Sequence, residues 1–500
     1  MNKPHAVVIG AGIGGLVAAL DLAGRGLPVS VFERWQRPGG KLRAVEIDGQ
    51  HIDSGPTVFT MPWVFEEVFT AAGSSIGHHL RLQPADRLAR HAWRDGSQLD
   101  LFADINRSTE AIAAFSSRSE AERYRAFCAR AHKVYRTLER PFMRSQRPGM
   151  TSLIKASGVR GLLDLWRIRP FESLWRALGK SFRDPRLRGL FARYATYCGS
   201  SPLQAPATLM LIAHVEQAGV WQIDGGMRRL ADALADLLEN LGGKIHYDTP
   251  VSEIDVKHGR VRGIRLASGE HVAADVVVAN TDVAAIEGGL MGSKATLAVP
   301  RRSSPQRSLS AVTWSLLAES SGFDLAHHNV FFPEDYPQEF NDIFGQGRLP
   351  ANPAVYICAQ DRGQGRSRPT GLERFFLITN APATGDREPF KTATIAPLQS
   401  AVFQLLQDCG LNLEARPEHS IVTTPADFEA RFPGTGGALY GSPAHGWRSS
   451  FSRPGSRSRI PGLYLAGGSV HPGPGVPMVA LSGRLAAAAV AADLGLSEKS

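Results

Sequence analysis

The glycine-rich turn near the N-terminus constrains the fold of this chain more than any other feature. Residues 7–9 form an apolar run that suits one buried strand, and Gly10, Gly12 and Gly15 separate it from helix-compatible residues. Glycines at this spacing allow a sharp turn, close approach of the backbone to a diphosphate, and tight packing of the helix on its strand. The positive end of the helix then faces the diphosphate. The pattern therefore predicts an α/β domain of the Rossmann type, although an ordinary strand-to-helix turn also contains such glycines.

A second strand and an acidic residue follow this turn at the distance expected for a dinucleotide site. Residues 29–32 are strand-like and end at Glu33, roughly 20 residues beyond the glycines, where a carboxylate binds the ribose hydroxyls. A carboxylate repels a 2′-phosphate, so NADP is disfavoured. Arg34 and the pair Gly39-Gly40 come next, and this second glycine pair is not needed to bind NAD.

These features resemble the extended FAD signature of the flavin amine-oxidase and phytoene-desaturase superfamily. In that signature Gly-Gly-Arg follows the ribose acid. Lys41 stands at the arginine position here. Lysine keeps the positive charge but lacks the planar guanidinium that donates two parallel hydrogen bonds. After a hairpin predicted to turn at Asp48-Gly49, the resemblance places the loop Asp53-Ser54-Gly55-Pro56-Thr57 beside the flavin. An ordinary loop that closes the hairpin is the alternative interpretation.

A more specific motif lies near the C-terminus. A strand-like segment leads into the glycine-proline loop 467–478, and residues 479–492 read as an alanine-rich helix whose N-terminus faces the cofactor. This segment closely resembles the C-terminal signature of bacterial carotenoid desaturases, in which the loop closes over the flavin. Its form is nearer to the hydroxyneurosporene and methoxyneurosporene branch than to phytoene desaturases. Gly468 and Ser469 stand where amine oxidases carry an acid.

Charge and cysteine content limit the partners and the compartment. The net charge of +9 and the pI near 9.5 favour an anionic partner. The sequence has no RNA-binding signature, zinc-finger spacing or basic repeat, so we expect a lipid surface and no nucleic acid. Four cysteines without a CxxC motif suit a reducing cytoplasm, and neither they nor the histidine spacings predict a metal site.

Two features of the sequence concern membranes. Asp21 interrupts the signal-peptide-like N-terminus, and no uninterrupted apolar run reaches about 18 residues, so membrane contact is expected to be peripheral. Residues 153–182 combine aromatic and leucine side chains with arginines and few acids. This composition suits a helix in the lipid headgroup layer, and it equally suits a buried helical subdomain with a solvated arginine face. A bulky apolar substrate held in the membrane would favour the first interpretation.

The resemblance implies an α/β protein with three parts. A discontinuous Rossmann-type FAD-binding domain is expected to comprise residues 1–60, 215–283 and 441–500. A mixed sheet-and-helix substrate domain is expected at 61–100 and 284–440. Residues 101–214 are expected to form a helical segment that serves as a membrane-contacting lid.

The activity implied by the resemblance is FAD-dependent desaturation of a carotenoid held in lipid, by hydride transfer to flavin N5. For acyclic 1-hydroxy or 1-methoxy carotenoids the new double bond is C3,4, and an acceptor such as oxygen or quinone takes the electrons. The implied location is cytoplasmic, peripherally associated with the anionic surface of the inner photosynthetic membrane. Phytoene desaturase, flavin amine oxidase and a non-enzymatic relative of the GDP-dissociation inhibitors are the alternatives.

The resemblance also assigns the site residues. Asp53 and His471 are the candidate catalytic residues near the flavin, with a structural role as the alternative for each. The backbone of Val251 is expected to meet the adenine. The predicted cofactor-binding residues are Gly10, Gly12, Gly14, Gly15, Glu33, Arg34, Gly39, Gly40, Lys41, Gly55, Pro56, Thr57, Val251, Gly467, Gly468, Pro477 and Met478.

Overall fold

The computed structural model describes residues 3–146, 171–301, 306–363 and 369–496. Its strands, in chain order, are β1 (Ala6–Ile9), β2 (Val29–Phe32), β3 (Ala44–Ile47), β4 (Gln50–Asp53), β5 (Leu82–Pro84), β6 (Arg87–Trp93), β7 (Gln98–Phe102), β8 (Trp221–Ile223), β9 (Lys244–His246), β10 (Val251–Lys257), β11 (Arg260–Leu266), β12 (His271–Ala273), β13 (Val276–Ala279), β14 (Ser310–Gly322), β15 (His328–Phe332), β16 (Val355–Ala359), β17 (Glu373–Ala381), β18 (Leu411–Thr423) and β19 (Leu463–Leu465). Its α-helices are α1 (Ile13–Gly24), α2 (Pro62–Ala71), α3 (Ile76–His79), α4 (Ile105–Phe115), α5 (Arg118–Leu138), α6 (Leu174–Ser181), α7 (Pro185–Ala192), α8 (Leu211–Gln217), α9 (Arg228–Asn240), α10 (Val283–Glu287), α11 (Tyr336–Phe340), α12 (Thr392–Asp408), α13 (Pro425–Arg431), α14 (Ser449–Ser452) and α15 (Val476–Asp493).

A five-stranded parallel sheet brings the two ends of the chain together. Its strand order is β19-β13-β1-β2-β9, so N-terminal, middle and C-terminal segments pair side by side. The central strands β1 and β13 consist of buried apolar residues, as a parallel sheet covered on both faces requires. The predicted α/β fold of the Rossmann type is confirmed.

Helices cover one face of this sheet, and a small antiparallel sheet covers the other. Val8 and Val278 pack with α1, α9 and α15 into one core. Val7 and Val277 point the opposite way, because side chains alternate along a strand, and they pack on β10, β11 and α10. The helices α1 and α15 approach closely, since a Cβ added to Gly483 would lie 2.3 Å from a backbone oxygen of α1.

A seven-stranded mixed sheet forms the other large layer of the molecule. Its order is β18-β14-β17-β16-β15-β6-β7, and all neighbouring strands are antiparallel except β15 and β6. Phe331 faces the apolar side of α12, whereas Val330 and Phe332 face the helices α5 to α8. The sheet is therefore covered by α12 on one face and by helices α5 to α8, the helical region, on the other.

The basic, aromatic segment predicted at 153–182 is only partly described, because residues 153–170 lie outside the described residues. In the remainder, Leu174, Leu178 and Phe182 are buried in the core of the helical region, and Phe182 stacks on Phe191 with ring centroids 4.9 Å apart. Phe171, in contrast, is 64% exposed. The burial of helix α6 agrees with the buried-subdomain interpretation for that part of the segment.

Within the described part of the chain, α15 is the one helix long and apolar enough to cross a bilayer. It is 67% buried inside the protein and packs along α1 in the core of the parallel-sheet region. Its apolar composition is therefore explained by its place in the protein interior.

Candidate active site

A cavity of about 1010 Å³ connects the two large sheets. It begins at the carboxyl ends of the parallel strands, where Gly10, Glu33, Asn280 and Gly467 line it. Ligands of open α/β sheets bind at these strand ends. The cavity then continues to the seven-stranded sheet and the helical region. Its lining there includes Leu209, Leu211, Ile212, Val215, Ala311, Thr313, Val330, Val355, Tyr356 and Phe376.

Fifteen of the predicted cofactor-binding residues line this cavity. They are Gly10, Gly12, Glu33, Arg34, Gly39, Gly40, Lys41, Gly55, Pro56, Thr57, Val251, Gly467, Gly468, Pro477 and Met478. Gly14 and Gly15 lie behind the lining, where α1 packs on its neighbours. The structure thus brings the predicted residues together from segments that are far apart in the sequence, and their binding role stays a prediction.

The first glycine turn leaves no room for side chains. A Cβ added to Gly15 would lie 2.1 Å from the carbonyl oxygen of Gly10, and one added to Gly12 would lie 2.7 Å from Oδ1 of Asn280. Nδ2 of Asn280 donates a hydrogen bond to the carbonyl oxygen of Ala466 (3.1 Å). Asn280 therefore connects the first glycine turn with the C-terminal one, a role that its position after an apolar strand did not reveal.

Two helices point uncapped N-termini at the glycine-lined end of the cavity. Helix α1 follows Gly12 and helix α15 follows Gly475, and neither residue offers a side chain to the free backbone N–H groups. Both glycines line the cavity. Free N–H groups at a helix N-terminus bind anions. The bare backbone donors therefore fit the diphosphate of a dinucleotide such as FAD.

Glu33 is held firmly at the wall of the same end. Its Oε2 accepts a hydrogen bond from the backbone N–H of Ala11 (2.7 Å), and its Oε1 accepts one from Trp35 (3.0 Å). Burial raises the pKa of this carboxyl, and the backbone hydrogen bonds oppose that rise. The guanidinium of Arg34 lies 5.1 Å from the Trp35 ring centroid. Glu33, expected at the ribose, and Arg34, expected to bind the cofactor, therefore both lie on the cavity wall.

Lys41 joins this wall to a segment near the seven-stranded sheet. Its Nζ donates a hydrogen bond to the carbonyl oxygen of Leu439 (2.7 Å) and lies 5.2 Å from the Phe432 ring centroid. Burial lowers the pKa of Lys41, and the charge of Asp282 opposes that change. The side chain thus binds a neighbouring carbonyl while part of it faces the cavity.

Asp53 caps a helix and does not line the cavity. Its Oδ2 accepts a hydrogen bond from the backbone N–H of Met227 (2.6 Å), and its Oδ1 accepts a longer one from Arg228 (3.4 Å), at the start of α9. Burial raises the pKa of Asp53, and these hydrogen bonds lower it. The next residues, Gly55 and Pro56, do face the cavity. The capping geometry matches the structural alternative, and a catalytic role stays a prediction.

His471 also points away from the cavity, although Pro472 beside it lines the cavity. Its Nε2 lies 2.8 Å from the carbonyl oxygen of Phe142, and the two rings meet edge to face at 4.9 Å. Burial lowers the pKa of His471 to about 4, so the neutral ring donates this hydrogen bond at neutral pH. The contact fixes Phe142, which does line the cavity. A catalytic role for His471 likewise stays a prediction.

The sequence patterns did not mark one group of side chains, and for the histidines of a second group they predicted no metal site. Arg193, Tyr197 and Glu216 form a polar cluster on the cavity wall, and no motif marked them. A separate set consists of His327, His328 and Cys358, whose possible metal-ligand atoms lie within 4.8 Å of one another. In this set, Nδ1 of each histidine contacts a protein oxygen, from Arg362 and Tyr356 respectively. The expectation of no metal site stays a prediction.

Comparisons with known proteins place these features in a family. Residues 13–314 match the family of flavin containing amine oxidoreductases. The chain is 52% identical to a hydroxyneurosporene desaturase of Rubrivivax gelatinosus, covering 100% of this chain and 95% of that protein. It is 43% identical to a hydroxyneurosporene desaturase of Cereibacter sphaeroides, covering 98% of each.

Solved structures share the fold at low sequence identity. An oxidoreductase from Methanosarcina mazei is 16% identical, with a TM-score of 0.62 over 96% of this chain and 99% of that chain. Putrescine oxidase bound to putrescine is 14% identical, with a TM-score of 0.61 over 99% of each chain. Since the family match spans more than half of the sequence, the chain belongs to the flavin containing amine oxidoreductase family.

Proposed function

We propose that this protein is an FAD-dependent desaturase that introduces the C3,4 double bond into acyclic 1-hydroxy or 1-methoxy carotenoids. The observation that carries this proposal is the continuity of the cavity, which joins a glycine-lined end to a largely apolar end. The first end suits the cofactor of the family, and the second suits a hydrocarbon. Identities of 52% and 43% to hydroxyneurosporene desaturases favour this substrate class over phytoene.

The glycine-lined end has groups for each part of FAD. We assign the diphosphate to the N-terminus of α1 beside Gly10 and Gly12, and the ribose hydroxyls to Glu33. Val251 is assigned to the adenine, as the family resemblance implies. The C-terminal loop, with the uncapped N-terminus of α15, is assigned to the flavin ring. The remaining predicted cofactor-binding residues, apart from Gly14 and Gly15 behind the lining, complete the same wall.

When bound, FAD supplies a two-electron oxidant for the removal of a hydride and a proton from adjacent carbons of the substrate. The protein must hold a flexible polyene flat and keep bulk water away from the reacting carbons. Phe142, Phe376 and the apolar face of α8 provide such a wall. We propose positioning roles for His471, which fixes Phe142, and for Asp53, which fixes the start of α9.

The three-part division at the boundaries given above is also part of this proposal, as is entry of the carotenoid from a membrane. Phe171 is exposed and also lines the cavity, and its ring meets that of Trp447 at 5.2 Å. We propose that the carotenoid enters the cavity at this point. We propose peripheral association with the cytoplasmic side of the inner photosynthetic membrane, where the net charge of +9 favours anionic lipid. Oxygen or a quinone is the proposed electron acceptor.

Expression in a host that makes neurosporene and its 1-hydroxy derivative tests the proposal. We expect the hydroxylated pigment to lose two hydrogens, seen as a fall of about two mass units with a red shift in absorption, because desaturation extends its conjugation. Neurosporene itself should stay unchanged.

Two other outcomes would contradict the proposal. Colour formation in a phytoene-producing host, with no change in hydroxylated pigments, would identify a phytoene desaturase. Release of hydrogen peroxide on addition of an amine, with no change in any carotenoid, would identify an amine oxidase.

A further inference from the structure

A charged cluster lies inside the largely apolar part of the cavity. Arg193 and Tyr197 belong to the 3₁₀ turn Arg193–Cys198, and Glu216 belongs to α8, and all three line the cavity. Buried charges are costly unless they are paired. A channel for a pure hydrocarbon would gain nothing from them, so their presence calls for a polar partner in the substrate.

Hydrogen bonds within this cluster occupy both carboxylate oxygens of Glu216 and leave a charged donor on the cavity wall. Glu216 accepts hydrogen bonds from the hydroxyls of Tyr194 (2.6 Å) and Tyr197 on its two oxygens. Arg193 donates from Nη2 to the Tyr197 hydroxyl (3.3 Å). Burial lowers the pKa of Arg193, but the nearby Tyr197 and Glu216 raise it overall, so the guanidinium stays charged.

Tyr336 supplies a second donor without a partner. It lies on α11, is 4% exposed and lines the cavity, yet its hydroxyl has no hydrogen-bond partner among the described residues. Its ring is held edge to face between Phe332 (5.4 Å) and Phe340 (5.1 Å). Burial raises the pKa of Tyr336 well above its usual value, so the hydroxyl keeps its proton. Buried hydroxyls are normally paired, so the unpartnered Tyr336 hydroxyl is a candidate donor to a ligand.

The cluster is close to the part of the cavity assigned to the flavin. The Tyr356 hydroxyl hydrogen-bonds Thr57 (2.6 Å), in the loop expected beside the flavin. Tyr356, Arg193 and Tyr336 all line the same cavity.

We propose that Tyr336 and Arg193 form a subsite for the single oxygen atom of a tertiary alcohol or methyl ether at one end of the carotenoid. This inference rests on the proposed function and adds the residues that select its substrate. Both side chains donate, and both a hydroxyl and an ether oxygen accept, so one subsite serves both substrate types. The C3 carbon lies only two bonds from the oxygenated C1 carbon, so binding this oxygen also sets which bond is oxidised.

The test is Tyr336→Phe in the full-length, FAD-loaded protein, because this substitution removes one hydroxyl and keeps the ring. Binding of 1-hydroxyneurosporene and of neurosporene is measured by quenching of tryptophan fluorescence, and turnover by pigment absorption. We expect about a tenfold loss of affinity for the hydroxylated pigment, the size of one hydrogen bond, and a change below about twofold for neurosporene. Arg193→Met should lower the same preference further if the variant folds.

The matched control is Tyr124→Phe, since the Tyr124 hydroxyl donates to Gln217 (2.9 Å) away from the cavity lining. It should leave the ratio of the two affinities unchanged. Equal binding of both pigments by the unaltered protein, or an unchanged preference in Tyr336→Phe, would overturn the subsite. If Tyr336→Phe abolishes a binding preference in a protein that converts neither pigment, the subsite stands and the proposed reaction fails.

Discussion

The glycine-lined end of the cavity and the polar cluster near Tyr336 are built in opposite ways. The first consists mainly of bare backbone and helix N-termini from short contiguous motifs, with almost no space for added atoms at its first glycine turn. The second consists of side chains from three separate elements, carried by Arg193, Glu216 and Tyr336. A site built from backbone suits a ligand that a whole family shares, such as its cofactor. A site built from side chains can be altered by single substitutions, which suits substrates that differ between family members. Under the proposed assignments, the two ends therefore separate cofactor binding from substrate selection.

The largest effect is expected from Gly15→Ala at the cofactor end. The new Cβ would lie 2.1 Å from the carbonyl oxygen of Gly10, so the turn must shift away from its present position. We expect loss of bound flavin and destabilisation of about 3 kcal/mol, measured by flavin absorbance per protein and by urea unfolding.

Gly77→Ala is the control for this prediction. A Cβ at Gly77 meets nothing within 4 Å, and the residue needs no unusual backbone conformation. It should keep its flavin and its stability. Full flavin content in Gly15→Ala would show that the rigid first turn is not what holds the cofactor.

A smaller effect, without loss of flavin, is expected from Glu216→Ala at the substrate end. Its removal leaves the hydroxyls of Tyr194 and Tyr197 without their acceptor, and Arg193 without its neighbouring negative charge. We expect a loss of about 3 kcal/mol in the free energy of unfolding, measured with urea. Loss of flavin in a folded Glu216→Ala protein would contradict the separation of the two ends. The exposed Glu122→Ala on α5 is the control, with a change of less than about 0.5 kcal/mol.

The pH dependence of stability tests the contact between the C-terminal loop and Phe142. The folded pKa of His471 is about 4, below its ordinary value of 6.5. Between these values the unfolded chain binds a proton that the folded chain does not, so stability is lost as the pH falls from 6.5 towards 4. We expect His471→Gln, whose side chain does not titrate, to remove about 2 kcal/mol of this loss between pH 7 and pH 5.

The measurement is the urea midpoint of both proteins across that pH range. A constant difference between them from pH 8 to pH 5 would place His471 in a solvated, ordinary environment. A large loss of turnover at pH 8 with unchanged stability would instead support the catalytic role predicted for it.

Most of the predicted cofactor-binding residues share one cavity, because glycine spacing, an acid after the second strand and the C-terminal loop are local signals; their binding role stays a prediction. Glu33 and Gly467 both lie on the cavity wall as expected. Asn280 and Tyr336 were missed, because their roles depend on contacts with residues far away in the chain. The motifs also did not predict the contacts of Asp53 and His471. A motif places a residue near a site but does not say which way its side chain points.

The smallest loss of stability is expected from substitutions of Asp53. They test whether a residue predicted as catalytic from its place in a motif takes part in the reaction. Asp53→Ala should remove the cap of α9 and cost about 1 kcal/mol, as typical N-terminal capping side chains do. Asp53→Asn keeps an accepting oxygen and should lose only a few tenths of that, with turnover unchanged.

The matched control is Asp104→Ala, because Asp104 accepts from Asn106 N–H (2.7 Å) at the start of α4, away from the cavity. Equal losses in the two alanine variants, with flavin and turnover retained, are expected for a positioning residue. If Asp53→Asn instead keeps its flavin and stability but loses about 100-fold or more in turnover, Asp53 acts as an acid or base, and the cofactor end contributes to the chemistry through side chains as well as backbone.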